Sequence, residues 1–229
     1  MSPTICRSNR RSLLRALAGA GLLGGAGISG LIGRVLAAGN SPALQGIRRM
    51  SGKVEVNGSS AGQGQRILPG DTVTTGADGE VVYVIGENAF LQRARSSVSF
   101  GDSATAGVLR IISGKLLSVF GKGPQKIVAS TATIGIRGTG CYIESAPDLV
   151  YFCLCYGEAD LVPTAAPAEQ ELIKTTHHDR PLYIHNDMKM PTMMVPAGVI
   201  NHTDLELTLL ESLVGRLPPF AGKRPYLSG

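Results

Sequence analysis

Hydrophobic and polar positions between residues 46 and 161 follow the pattern of short β-strands. Apolar runs of roughly four to seven residues alternate with turn residues, and the turns recur about every ten residues. The run EVVYVI at 80–85 is almost continuously apolar, as in a strand buried on both faces. No helical period occurs before Leu161. The pattern therefore predicts an all-β domain over 42–161, built as a sandwich, barrel or solenoid.

The segment 130–144 combines strand-forming and kink-forming residues. Isoleucines and threonines give it strand character, while glycines at 135, 138 and 140 indicate a bulge or a close backbone approach. Arg137 lies among them with a planar head that can bond several acceptors. We expect its guanidinium to bond carbonyls or a carboxylate inside the domain, with Asp71 as one candidate, and to fix the kink at Gly138 and Thr139.

Residues 162–229 form an extension of different composition. A Pro/Ala-rich stretch follows residue 163, and the second half carries a helix signature. Thr203 and Glu206 have the spacing of a capping box, and Gly215 supplies a stop. One apolar face would contain Leu205, Leu209, Leu210 and Leu213. The extension is therefore predicted to hold one short helix near 203–214, packed on the β-domain or on a partner.

Residues 1–39 have the three-part layout of an export signal. A basic start precedes a weakly apolar Ala/Gly/Leu stretch, and small residues at 37–39 offer cleavage sites. Arg10 and Arg11 resemble the twin-arginine motif of bacterial Tat signals. Export by the Sec route and a retained membrane anchor are the alternatives. We expect Tat-dependent export to the periplasm, cleavage after residue 37, 38 or 39, and no stable membrane span afterwards.

The basic charge of the chain belongs to this leader. Of the 22 Lys and Arg residues, five arginines lie in residues 1–39 without any acid, which leaves 17 basic and 17 acidic residues. No basic patch with interleaved aromatic residues follows, so nucleic-acid binding is not expected. All four histidines lie in the extension and none has a clear nucleophile beside it. We therefore expect the protein not to be an enzyme.

Three segments of the β-domain carry a recognisable combination of motifs: KVEVNG at 53–58, LPGDTVTTG at 68–76 with Gly70 and Asp71, and the stretch from Ser130 that leads to Arg137, Gly138 and Thr139. Together they resemble the FecR domain family. The resemblance covers residues 47–156 and implies an extracytoplasmic, all-β, twisted solenoid-like or sandwich-like domain. The best-known members of that family are membrane regulators that relay an outer-membrane siderophore signal to a sigma factor.

Those members carry an anti-sigma segment before a membrane span, whereas only a short basic segment precedes the apolar run here. We therefore expect a free-standing periplasmic FecR-like module with a binding or regulatory role in signalling. The alternative is a structural module that binds glycan or another envelope protein. A further alternative is a metal-binding periplasmic protein.

The metal alternative depends on three cysteines that remain after cleavage, Cys141, Cys153 and Cys155. A turn at 145–148 predicts a hairpin that brings them together. If Cys141 lies opposite Cys153, then Cys155 shares their face, whereas a slip of one residue moves Cys141 to the other face.

Three chemistries are open to these thiols. With His177 and His178 they offer ligands for a soft transition metal, namely zinc, copper or iron. In an oxidising compartment Cys141 can instead form a disulfide with Cys153 or Cys155. They can also be buried apolar residues of the core. The cofactor is otherwise unknown from the sequence.

Overall fold

The computed structural model describes residues 45–101 and 107–222. The predicted signal peptide, with Arg10, Arg11 and the cleavage sites, lies outside the described residues. The strands are β1 Gly46–Ser51, β2 Val54–Val56, β3 Ser59–Ser60, β4 Thr72–Thr75, β5 Glu80–Ile85, β6 Asn88–Gln92, β7 Ser97–Phe100, β8 Gly107–Val119, β9 Pro124–Val128, β10 Ala132–Ala146, β11 Leu149–Pro163, β12 Glu171–Thr175, β13 Leu182–His185 and β14 Met194–Pro196. A 3-10 turn covers Pro167–Glu169, and the α-helix α1 covers Asp204–Leu213.

The strands form one hydrogen-bonded network with a branch. The main path runs β14-β13-β11-β10-β9-β8-β7-β4-β2-β3, and β6 connects β8 to β5 and then β1. All pairings within the described residues are antiparallel except that of β8 with β9. The predicted all-β fold with a short C-terminal helix is therefore confirmed. None of the helices in the described residues is long and apolar enough to span a bilayer.

Strands β10 and β11 contribute side chains to two separate apolar clusters. Because successive residues of a strand point to opposite faces, Cys141 and Leu154 join the main core while Tyr142 and Cys153 join the second cluster. Strands β5, β6 and β8 complete that second cluster on the sheet side with residues Val82, Val84, Ala89, Leu91, Leu117 and Val119. The functional groups described below belong to this second face.

Helix α1 covers the second cluster. Its start is fixed by the predicted capping box, because the Thr203 hydroxyl accepts from the Glu206 N–H and the Glu206 carboxylate accepts from the Thr203 N–H. The side chains that pack on the sheet are Leu207, Leu210 and Leu213. Of the four leucines predicted for the apolar face, Leu209, Leu210 and Leu213 are buried, but Leu205 is 50% exposed. The fully buried Leu207 was not predicted.

The predicted motif residues Gly70 and Asp71 form a turn that joins two loops. Gly70 has φ +89° after Pro69, and the Asp71 N–H donates to the Leu68 carbonyl, as in a type II turn. The Asp71 carboxylate accepts from the Leu68 N–H and from the Asn57 amide, both at 2.7 Å. These bonds give Asp71 a structural role of its own, without Arg137.

The structure corrects the expectation for Arg137. Its side chain is exposed and makes no hydrogen bond or ion pair within residues 45–101 and 107–222. The kink is made by the backbone instead: Gly138 has φ +55° in a register shift between Arg137 and Gly140, and the buried Thr139 accepts from the Phe120 N–H. The predicted bonds from the guanidinium to carbonyls or to Asp71 are therefore absent from this part of the chain.

Replacing Arg137 by alanine should consequently have little effect. We expect Arg137→Ala to change the free energy of unfolding by less than about 0.5 kcal/mol, the usual range for an exposed side chain. Asp71→Ala is the comparison, since it removes two bonds to the turn and should cost about 1–3 kcal/mol. Urea denaturation of both variants measures the difference, and an Arg137→Ala cost equal to that of Asp71→Ala would contradict the structural description.

Candidate metal centre

Four potential metal ligands meet beneath the start of α1. The thiols of Cys153 and Cys155 and one ring nitrogen each of His178 and His202 all lie within 4.8 Å of one another. All four residues are buried, and Cys153 and Cys155 are 0% exposed. Buried polar groups need partners, so a cluster of this kind calls for a chemical explanation.

The thiols owe their positions to the alternation of β11. Cys153 and Cys155 are two residues apart and therefore point to the same face, toward α1. Cys141 lies opposite Leu154 rather than Cys153, and its side chain belongs to the main core. The hypothesis that placed Cys141 on the face of the other two is therefore corrected. All three thiols are free, with no disulfide among the described residues.

His178 reaches the thiols from the loop between β12 and β13. Its backbone adopts φ +54°, which is uncommon for a residue other than glycine, and its N–H donates to the Cys155 carbonyl at 2.9 Å. Ring atom Nδ1 lies 3.5 Å from the Cys153 sulfur, and Nε2 lies 3.0 Å from an Asp204 carboxylate oxygen. The loop backbone thus holds the ring between a sulfur and a carboxylate.

His202 reaches the same point from the segment that leads into α1. The preceding residue, Asn201, has φ +55°. The Nδ1 atom of His202 lies 2.7 Å from the Ile200 carbonyl oxygen, and its ring stacks on Tyr142 with centroids 4.7 Å apart. Its Nε2 atom lies 3.2 Å from Nδ1 of His178. Ring stacking and the carbonyl bond fix the orientation of this imidazole.

These contacts determine which ring nitrogens carry hydrogen. A carbonyl oxygen only accepts, so Nδ1 of His202 donates to Ile200 and its Nε2 carries a lone pair in the neutral ring. By the same reasoning Nε2 of His178 donates to Asp204, and its Nδ1 carries a lone pair. Two lone pairs 3.2 Å apart repel each other. Either a proton on one ring or a cation between the rings must accompany this arrangement.

The spacing of the donors fits a tetrahedral metal ion. With zinc–nitrogen bonds of about 2.05 Å and zinc–sulfur bonds of about 2.3 Å, tetrahedral angles place two nitrogens about 3.3 Å apart and a nitrogen and a sulfur about 3.6 Å apart. The corresponding distances here are 3.2 Å and 3.5 Å. Two thiolates and two imidazoles are also a typical donor set for zinc. The residues present therefore fit the ion.

The electrostatics favour a thiolate at this point. The neighbouring Cys155 thiol, followed by His178 and His202, holds the pKa of Cys153 well below its usual value. Burial raises the pKa of Cys155, and the nearby Cys153 raises it further. Burial alone would lower the pKa of His178, but Cys153 and Asp204 raise it above its ordinary value. Both shifts favour the charged forms of Cys153 and His178.

Asp204 and His177 surround the centre without joining the donor group. The Asp204 carboxylate, buried in the first turn of α1, accepts from His178 and lies 2.9 Å from Nε2 of His177. The His177 ring packs against Phe220 with centroids 4.7 Å apart. His177 therefore contacts the Asp204 carboxylate, and together with His178 and Asp204 it forms a second group of potential ligands within 4.8 Å of one another.

A surface cavity of about 340 Å³ lies beside His202. Its walls hold Arg93, Lys115, Asn201, His202, Thr203 and Glu206. Arg93 joins the two sides of this cavity, because its guanidinium donates to the Asn201 carbonyl and to the Glu206 carboxylate. Of the four ligands, His202 is the one that lines this cavity.

The sequence reasoning missed His202 and Asp204. Both follow the strands by many residues, so no local spacing connects them with Cys153 or Cys155. One signal was available: the capping box at Thr203 places Asp204 at the helix start and His202 immediately before it. A histidine and an acid at the docked end of an amphipathic helix were candidates for contact with the covered face.

Comparison with known proteins adds the following. No protein-family model matches the chain, and no curated protein matches it. Two solved structures of a candidate anti-sigma factor from Parabacteroides distasonis ATCC 8503, at 1.65 Å and 2.50 Å resolution, are similar with a TM-score of 0.46 and 7% identity. The match covers 56% of this chain and 59% of theirs, about three fifths of their length. The FecR resemblance therefore rests on the sequence motifs.

Proposed function

We propose that this protein is a non-enzymatic metal-binding module of the cell envelope. Its centre would hold one transition-metal ion, with zinc favoured, through the thiolates of Cys153 and Cys155 and the rings of His178 and His202. The observation that carries the proposal is the buried group of two thiols and two imidazole nitrogens within 4.8 Å of one another, with the two nitrogens 3.2 Å apart. A cation bound among them would form bonds to all four groups.

The same contacts weigh against the other uses of these thiols. Cys153, His178 and Asp204 are aligned like a nucleophile, base and orienting acid, but Cys153 is 0% exposed and offers a substrate no access. A disulfide of Cys141 with either partner would have to cross between the two faces of β10 and β11. Metal binding requires neither access to Cys153 from solvent nor a link between the two faces of the sheet.

The leader supports a periplasmic location for this module, and the FecR-like motifs support a regulatory role. A twin-arginine signal would carry a protein to the periplasm already folded around its ion. The FecR resemblance supports a regulatory role in signalling over a structural one. An envelope protein or glycan as the partner remains a prediction from the sequence.

Elemental analysis of the protein purified from the periplasm tests the proposal. We expect about one equivalent of zinc, copper or iron per chain, and less than about one tenth of an equivalent in the Cys153→Ser/Cys155→Ser double variant. Cys141→Ala is the matched control, because it removes a thiol from the other face and should keep the ion. Circular dichroism checks that each variant is folded.

Two results would contradict the proposal. One is metal-free folded protein with three alkylatable thiols, which would make the cysteines plain core residues. The other is metal-free protein that has lost two hydrogens by mass spectrometry, which would indicate a disulfide. Recovery of the protein wholly from the cytoplasm would contradict the export that we propose.

A further inference from the structure

We propose that ion binding controls whether the C-terminal segment 200–222 stays docked on the sheet, so that the protein is a metal-responsive switch. This inference rests on the proposed function and adds the regulation of that same site. Its basis is that the four ligands come from parts of the chain that differ in how firmly they are held.

Three of the ligands belong to the β-sheet. Cys153 and Cys155 lie within β11, which pairs with β10 on one side and with β12 and β13 on the other. His178 is tied to the same strand through its N–H to the Cys155 carbonyl. A movement of any of these residues would break strand pairing. This half of the site is therefore rigid.

The fourth ligand belongs to the segment that carries α1. His202 follows Asn201, whose left-handed backbone is held by two polar contacts: Arg93 donates to its carbonyl at 2.7 Å, and its amide donates to Glu144 at 2.6 Å. Arg93 and Asn201 line the cavity beside His202, and the bond from Asn201 to Glu144 is exposed. Water can replace such bonds at small net cost, so this segment is the part that can move.

Loss of the ion removes the bonds that join the two parts. Nδ1 of His178, on the sheet side, and Nε2 of His202, on the helix side, lie 3.2 Å apart and would be bound to the same ion. Since the sheet side is rigid, the part that loses its attachment is His202 and, with it, the start of α1. The ion therefore acts as a cross-link between β11 and α1 whose removal favours opening at the helix.

Opening would uncover a large apolar surface. Leu207, Leu210 and Leu213 are buried against the second cluster, and Phe220 packs on Tyr156 at the far end of the segment. The sheet side of that surface is formed by Val82, Val84, Leu91, Leu117 and Val119. Docked and released states would thus differ sharply in exposed hydrophobic area, which is the property that a switch needs.

Hydrogen exchange of the full mature chain, loaded with zinc and after chelation, tests the switch. An ion that binds only the docked form slows local opening by the factor 1 + [ion]/Kd. We therefore expect the amides of 204–213 to exchange at least about tenfold faster after chelation. The amides of β10 should stay protected over the same minutes to hours. The Cys153→Ser/Cys155→Ser variant should show the fast helix exchange with or without zinc.

The outcomes separate the switch from the metal site itself. Elemental analysis first establishes that chelation has removed the zinc. If the amides of α1 then keep their protection, the switch is overturned and the proposed metal site is unaffected. Loss of protection in α1 and β10 together would also overturn it, because the ion would then stabilise the whole domain without a separate opening. Failure of the native protein to bind zinc would overturn both proposals.

Discussion

Removal of the ion should lower the melting temperature of the protein by roughly 8–16 °C. An ion present at about a thousand times its Kd stabilises the native state by about 4 kcal/mol. For a domain of this size each kcal/mol shifts the melting temperature by about 2–4 °C. The ion contributes in full because its four ligands come from three separate segments of the chain and meet only in the folded structure.

Differential scanning calorimetry with and without a chelator measures this shift. The Cys153→Ser/Cys155→Ser variant should melt near the temperature of the chelated native protein and should not respond to the chelator. Cys141→Ala should keep the chelator response, since its thiol lies in the main core. A melting temperature that falls with a reductant and ignores the chelator would instead indicate a disulfide.

The sequence predicted the fold well because strand alternation and turn residues are local signals. The capping box at Thr203 likewise fixed the start of α1 to within a residue. The placement of Cys153 and Cys155 on a common face follows from their spacing alone. Each of these inferences depends on neighbours along the chain, where backbone geometry leaves few choices.

The position of Cys141 depended on strand register, which the sequence left open. The hairpin between β10 and β11 closes directly from Ala146 to Leu149, so Pro147 and Asp148 alone form its loop. That loop length pairs Cys141 with Leu154, one residue away from Cys153. Because the side-chain period is two, this single step moves the thiol to the opposite face.

Arg137 and His202 show the other limit of sequence reasoning. A planar arginine beside glycines has the chemistry of a structural residue, yet the kink is held by the backbone and the guanidinium lies in solvent. His202 has no local motif that marks it as a ligand. Its role depends on which face of the sheet α1 covers, and that is decided by the packing of Leu207, Leu210 and Leu213 on the second cluster.

Asp204 should be the most important residue of the site outside the four ligands. Its carboxylate accepts from Nε2 of His178, which directs Nδ1 of that ring toward the Cys153 sulfur and makes the ring a more basic ligand. We expect Asp204→Asn to weaken zinc binding by about 10–100-fold, as is usual for a carboxylate that orients a ligating histidine. The amide retains one acceptor but loses the charge.

Competition titration against a chromophoric chelator measures the affinity. The matched control is Asp160→Asn, which makes the same change on β11 at a half-buried carboxylate bonded to Gln170, away from the site. The cobalt-loaded Asp204→Asn protein should keep the absorption of tetrahedral thiolate coordination, because Asp204 positions a ligand and does not bind the ion. Zinc affinity equal to that of the control would show that the orientation of His178 is fixed by its loop backbone alone.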